Sequence, residues 1–138
     1  MIRELLKEVR EQRFLFLRCR RRMEEICYEI ENIKSPGMEE RVQSSHQVDL
    51  SEMISRKEAC MTMEKEAREK LAQLTVKAVD IIAKEPDEKK REILYQRYLE
   101  CASWGEIIRS MGYSRQHIFR IHAESLSFLE KMRLNETK

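Results

Sequence analysis

The sequence predicts an all-α chain: a long antiparallel helical hairpin, coiled-coil in character, followed by a compact set of three shorter helices. Three observations carry that expectation. Only three of 138 residues are Gly and two are Pro, while 38% are charged, a composition suited to long solvated helices. Apolar residues recur with a seven-residue period through residues 1 to 33 and again from Leu50 to about Ala83, the period of helices that pack along a seam. In the C-terminal third that period gives way to explicit start and stop signals for short helices.

The first helix carries Ile2, Val9, Phe16, Met23 and Ile30 at one seam position and Leu5, Gln12, Cys19, Ile26 and Ile33 at the other. Such a helix extends ~50 Å and is unstable alone, so its seam must meet a second helix. Ser35-Pro36-Gly37 breaks it, and the polar stretch through Gln47 reads as a loop. The second helix has Met53, Cys60, Ala67, Leu74 and Ile81 on one line and Leu50, Leu71 and Ala78 on the other, interrupted by Lys57 and Glu64. Antiparallel pairing sets Ile2 beside Ile81, Cys19 beside Glu64 and Ile26 beside Lys57. The two charged interruptions can snorkel or can specify register.

Leu6, Phe14, Leu15 and Leu17, with Ile54, Met61 and Ile82, lie beside the seam. That is more apolar surface than two helices can cover. It argues for a homodimer through the hairpin, or for packing of the hairpin on the C-terminal helices. Arg10, Arg13, Arg18, Arg20, Arg21 and Arg22 are read as a solvated face with i to i+4 partners such as Glu24 and Glu25, against a phosphate-binding stripe or a protein-docking face as alternatives.

Lys84-Glu85-Pro86-Asp87 divides the chain, because Pro ends one hydrogen-bond ladder and favours the start of another. Two domains are therefore expected, residues 1–85 and 86–138. A scaffold helix from about Asp87 to Glu100 buries Ile93, Leu94, Tyr98 and Leu99, with Arg91 and Arg97 able to reach a polyanion or to stay on the surface. Ser103 followed by Glu106 is a capping box, and Trp104, Ile107, Ile108 and Met111 form the buried side of the helix it opens. Gly112 supplies a positive φ, and Ser114 caps the last helix after a three-residue turn. In that helix Ile118, Ile121, Ser125, Leu126, Leu129 and Met132 face inward.

Arg115, Gln116, Phe119 and Arg120 remain on the outer stripe. Arg and Gln there suit the major groove, where they pair with guanine and adenine edges, and the helix start can hold a phosphate. Between Ile107 and Ala123 there is no carboxylate, only Arg109, Arg115, Arg120 and two histidines, so the local field favours a polyanion. The candidate set for double-stranded DNA is Arg115, Gln116, His117, Phe119 and Arg120 on the last helix, with Arg109 and Ser114 before it. The bland alternative is a row of ordinary solvated arginines.

From Arg91 through Leu129 the run REILYQRYLECASWGEIIRSMGYSRQHIFRIHAESLSFL resembles region 4 of bacterial sigma factors, through Arg97-Tyr98, Ser103-Trp104, Gly112-Tyr113-Ser114 and Ile121 to Leu126. With a charged hairpin in front, the chain is similar to small phage-encoded sigma-region-4-like proteins of the late-gene regulator type. The resemblance implies a helix-turn-helix transcriptional regulator, base reading by Arg115, Gln116 and Arg120 with His117, and contact with RNA polymerase. Cys101 stands where that pattern has Gly, Ile108 where it has Ala, and Phe119 where it has a polar residue. A phage DNA-packaging recognition subunit and a coiled-coil adaptor without DNA binding are the alternative functions.

Enzymatic function is not expected. His46, His117 and His122 are scattered, and no Gly-rich phosphate loop or nucleophile setting is present. No cofactor or metal is expected either. Cys19, Cys27, Cys60 and Cys101 form no C-x-x-C pair and read as reduced thiols. With no apolar run near the roughly 20 residues a membrane helix requires, the expectation is a cytoplasmic, nucleoid-associated protein. Net charge is only +2, so any affinity for DNA must come from local patches.

Overall fold

The structure, a computed structural model, describes residues 1–33 and 43–136. Helix α1 runs Ile2–Ile33 and α2 Gln43–Ile82; α3 is Glu88–Leu94, continued by a π-helical turn Tyr95–Leu99; α4 is Trp104–Met111 and α5 Arg115–Glu136. The protein is all-α, with no strand among the described residues. The expected break at Ser35-Pro36-Gly37 lies outside the described residues. The expected loop through Gln47 is corrected in part, since Gln43 to Gln47 already belong to α2.

Packing divides the chain into two compact units, one of Met1–Phe14 with Lys70–Lys138, the other Leu15–Glu69. This is not a division at residue 85, because the ends of the two long helices are built into the C-terminal unit. There the start of α1 meets the end of α2 antiparallel: Ile2, Leu5, Ile81 and Leu129 line one groove. Glu8 pairs with Lys70 at 3.5 Å, and Arg13 donates to Thr75 Oγ1 at 3.5 Å. Ile2 thus lies near Ile81, as the heptad register requires. Leu6 and Ile82, expected beside the seam, are fully buried; part of the apolar surplus is consumed by packing within this unit.

Helix α1 is joined to α5 by an unusual cap. The Glu130 carboxylate of α5 accepts from the backbone N–H of Ile2 at 2.7 Å and of Arg3 at 3.1 Å, satisfying orphan donors at a helix start from another helix. Burial pushes this carboxyl up, but the N–H groups of Arg3 and Ile2 and the terminal amine outweigh that and hold it below the usual range. Helix α2 ends at Ile82, with Lys84 and Glu85 N–H donating to Ile81 O and Ile82 O before Pro86, and Asp87 caps α3 by accepting from Lys89 N–H at 2.9 Å.

Ile93, Ala102, Ile107, Ile118 and Ile121 form the core under α3, α4 and α5, flanked by Trp104, Ile108, Met111 and Tyr113. Each isoleucine so enclosed stabilises by about 2 kcal/mol relative to exposure. The scaffold helix departs from the expected regular course. Glu100 N–H reaches back five residues to Tyr95 O at 2.9 Å, which is the wider π register, and Ala102 N–H then reaches back six to Gln96 O at 2.7 Å. Gln96 is buried inside it, and its amide donates to Glu92 Oε1 at 3.0 Å and Ser110 Oγ at 3.1 Å.

In the unit Leu15–Glu69, Cys19, Ile30 and Ala67 are buried, and Phe16, Met23, Ile26, Met53, Lys57, Cys60 and Glu64 are half-buried, so the seam positions are the covered ones. Leu15, Leu17, Ile54, Met61 and Met63 stay exposed. Arg18, Arg20, Arg21 and Arg22 are exposed as well, with Glu24 3.9 Å from Arg20.

Candidate nucleic-acid interface

The turn between α4 and α5 is fixed at each joint by side-chain chemistry. Ser103 Oγ accepts from Glu106 N–H at 3.2 Å while Ser103 N–H donates to Glu106 Oε2 at 3.3 Å, a closed capping box. Gly112 ends α4 at φ 71°, its N–H donating to Ile108 O at 2.9 Å. Ser114 Oγ then accepts from His117 N–H at 3.2 Å, and α5 begins. These signals were all legible in the sequence.

With Ile118 and Ile121 committed to the core, helical spacing sends Arg115, Gln116, Phe119 and Arg120 the other way, and all four are exposed. They form two i, i+4 pairs on one face; the Arg115 guanidinium lies 5.7 Å from the Phe119 ring centre. Arg109, on the last turn of α4, and Ser114 are exposed too. His117 is different. Its ring packs 4.6 Å from that of Tyr113 and is half-buried, which leaves it less to offer a ligand. Arg120 borders a shallow groove with Lys89, Lys90, Tyr113 and His117, where Asp87 and Glu124 supply the opposite charge. Lys90 and Glu124 stand 3.7 Å apart there.

Several contacts that shape this face escaped sequence reading. Phe119 meets Trp104 edge-on at 5.0 Å, and Trp104 also meets His122 edge-on at 4.8 Å. Tyr98 Oη and His122 Nε2 share a hydrogen bond of 2.6 Å. Burial, then the positive charges of Arg97 and Arg3, pushes the His122 pKa down to about 4, so the ring is neutral near pH 7; burial also holds the Tyr98 hydroxyl above its ordinary value. This pair is a neutral support under Trp104.

Arg97, read as a surface residue or a phosphate contact, is half-buried instead. Its guanidinium lies 4.3 Å over the Trp104 ring and donates to Ala102 O at 3.3 Å. Burial, with Arg10 nearby, lowers its pKa. Arg91 donates to Glu85 O at 2.6 Å, tying α3 to the end of α2.

Cys101 takes the left-handed conformation at φ 59°, so the cap that normally calls for Gly is formed by a residue with a Cβ. Its thiol points to Arg10 O at 3.9 Å, and burial raises its pKa against the pull of Arg13, Arg10 and Arg97. Ile108 is accommodated half-buried at the edge of the core.

Among the described residues no group of His, Cys, Asp and Glu could hold a metal ion, and no helix is long and apolar enough to cross a membrane. Comparisons with family models, curated proteins and solved structures give no match.

Proposed function

We propose that the chain is a sequence-specific DNA-binding transcriptional regulator that lays the first two turns of α5 in a major groove. One observation carries the reading: Arg115, Gln116, Phe119 and Arg120 stand exposed together behind a capped turn, in a stretch free of carboxylates from Ile107 to Ala123. Arg115 and Gln116 have the donor and acceptor chemistry to read guanine and adenine, and Phe119 the apolar edge to meet a thymine methyl. Arg109 and the exposed backbone around Ser114 suit flanking phosphates. The resemblance to sigma region 4 adds RNA polymerase as a second partner, and the four cysteines, read as reduced thiols, suit the cytoplasm as the site of action.

A homodimer through the long helices belongs to the same reading. Leu15, Leu17, Ile54, Met61 and Met63 are exposed on those helices, apolar surface of the kind that symmetric partners cover.

Selection of bound genomic fragments, followed by fluorescence anisotropy on the selected duplex, tests the proposal. Arg115→Ala is expected to weaken specific binding by about 1–3 kcal/mol and relax preference at one base pair. Equal loss on every sequence would demote Arg115 to a phosphate contact. Absence of salt-sensitive binding to any duplex at micromolar protein would leave a helical adaptor. Solution mass separates the remaining alternative, since a large closed ring of chains fits a DNA-packaging subunit, whereas a dimer with one footprint fits a regulator.

A further inference from the structure

The outer face of α5 does not end at Phe119. A continuous ladder of cations and rings leads away from it: Arg115 on Phe119 at 5.7 Å, Phe119 on Trp104 at 5.0 Å, Trp104 under Arg97 at 4.3 Å. Arg10 Nε then donates to Arg97 O at 3.2 Å, and its guanidinium lies 4.7 Å over Phe14. The ladder thereby passes from α5 through α4 and the π-helical turn to α1, within one compact unit.

Among the described residues, no ion pair neutralises the charges of Arg97, Arg10 or Arg13. Among the described residues Arg97 and Arg10 donate to backbone carbonyls and Arg13 to the Thr75 hydroxyl at 3.5 Å, while the buried Arg13 Nε has no partner there. None of the three has a carboxylate within ion-pair distance among the described residues. Carboxylates are not scarce, since 25 acidic residues stand against 27 basic ones. Arg97 is half-buried with the Arg10 charge beside it, and burial first, then that charge, lowers its proton affinity, an unfavourable arrangement until an anion joins it. Stacking on Trp104 and Phe14 holds the Arg97 and Arg10 guanidinium planes while leaving their N–H edges for an acceptor. A row of like charges leading off a base-reading helix matches the repeating phosphates of a duplex better than it matches a single anion.

We propose that Arg97, Arg10 and Arg13 form a phosphate track, so that duplex DNA read by α5 is also gripped along its backbone by the π-helical turn and α1. This rests on the DNA-reading function proposed above and extends the footprint to a helix outside the helix-turn-helix. The guanidinium groups bind without base preference and contribute through counterion release.

The test compares wild type, Arg10→Gln, Arg13→Gln, Arg10→Lys and Arg115→Ala in the full chain. Anisotropy titrations are run over a range of salt on the selected duplex and on a scrambled one, with hydroxyl-radical footprints and a circular dichroism melt for each variant. Each Gln variant should flatten the slope of log K against log salt by about 0.9, equally on both duplexes, and should lose protection on one flank of the site. Arg10→Lys should keep the slope. Should Arg10→Gln fail to fold, Arg13→Gln, whose guanidinium makes a single long contact, carries the same test. The track is refuted if wild type binds and Arg115→Ala relaxes base preference while folded Arg10→Gln or Arg13→Gln leave slope and footprint unchanged; the ladder is then internal packing or a surface for an acidic protein. Wild type that binds no duplex overturns both the track and the reading beneath it.

Discussion

Between Glu88 and Glu136 the chain changes direction repeatedly, and its helix ends are set by identifiable groups: Asp87 and Ser103 at two starts, Cys101 and Gly112 at left-handed turns, Ser114 before α5. Among the described residues between Leu15 and Glu69 there are only parts of two long helices. Their covered residues follow a seven-residue seam, and Leu17, Met61 and Met63 stand about half exposed. Short helices must be capped and enclosed to exist at all, whereas long ones are held by a repeating stripe. The first region is therefore intolerant at almost every inward position. The second is tolerant within the chain and has apolar surface left for a partner.

The sharpest way to break that contrast is to place one carboxylate in each region. Ile121→Asp puts an unpaired charge in the core of Ile93, Ile107 and Ile118 and should cost more than about 3 kcal/mol, unfolding the C-terminal helices. Met61→Asp, on an exposed face, should stay within about 0.5 kcal/mol in the isolated chain. Circular dichroism melts compare the two, and sedimentation shows whether Met61→Asp lowers the mass of a dimer. An intact melt for Ile121→Asp would mean the inward stripe of α5 is wrongly assigned.

A second contrast is pH. His122 is buried in the C-terminal unit with its pKa lowered to about 4, first by burial and then by Arg97 and Arg3, while an unfolded chain takes up the proton near pH 6.5. A depressed folded value means that the contribution is fully present above pH 6.5 and is lost as pH falls toward 4. The loss should total about 2 kcal/mol once solvent screening is allowed for. Trp104 is the only tryptophan and lies 4.8 Å from the His122 ring, so its fluorescence melt reports this unit. His122→Gln should flatten the dependence between pH 4 and 6.5. Glu130, with its carboxyl held low, adds a further loss in the same direction only at more acid pH.

These two tests also mark what could be read beforehand. Ile121 was legible because the inward stripe of α5 is local and periodic, and Ser103, Glu106, Gly112 and Ser114 because caps act over three or four residues. The outward placement of Arg115, Gln116, Phe119 and Arg120 followed from the same periodicity. The π-helical turn at Tyr95–Leu99 has no such signal, and it is what brings Gln96 inside. Arg10 over Arg97, Glu130 over the start of α1 and Tyr98 against His122 join residues far apart in sequence, with no spacing rule to announce them. The expected boundary at residue 85 falls in the real break between α2, ending at Ile82, and α3, starting at Glu88, but a helix end is not a limit of packing: Leu6, Val9 and Ile82 are fully buried in the C-terminal unit.

The smallest expected effect concerns the one place where the C-terminal region departs from its own economy of caps. Cys101 adopts φ 59°, which costs an L-residue about 1–2 kcal/mol that Gly does not incur. Gly also has more freedom to lose on folding, by roughly 0.5–1 kcal/mol. Cys101→Gly should therefore stabilise by about 0.5–1 kcal/mol and raise the melting temperature by roughly 2–4 °C. At Gly112, already left-handed with open space around it, Ala should destabilise by a similar amount. A lower melting point for Cys101→Gly would show that the half-buried thiol near Arg10 O outweighs the strain, making Cys101 part of the joint between α1 and the π-helical turn.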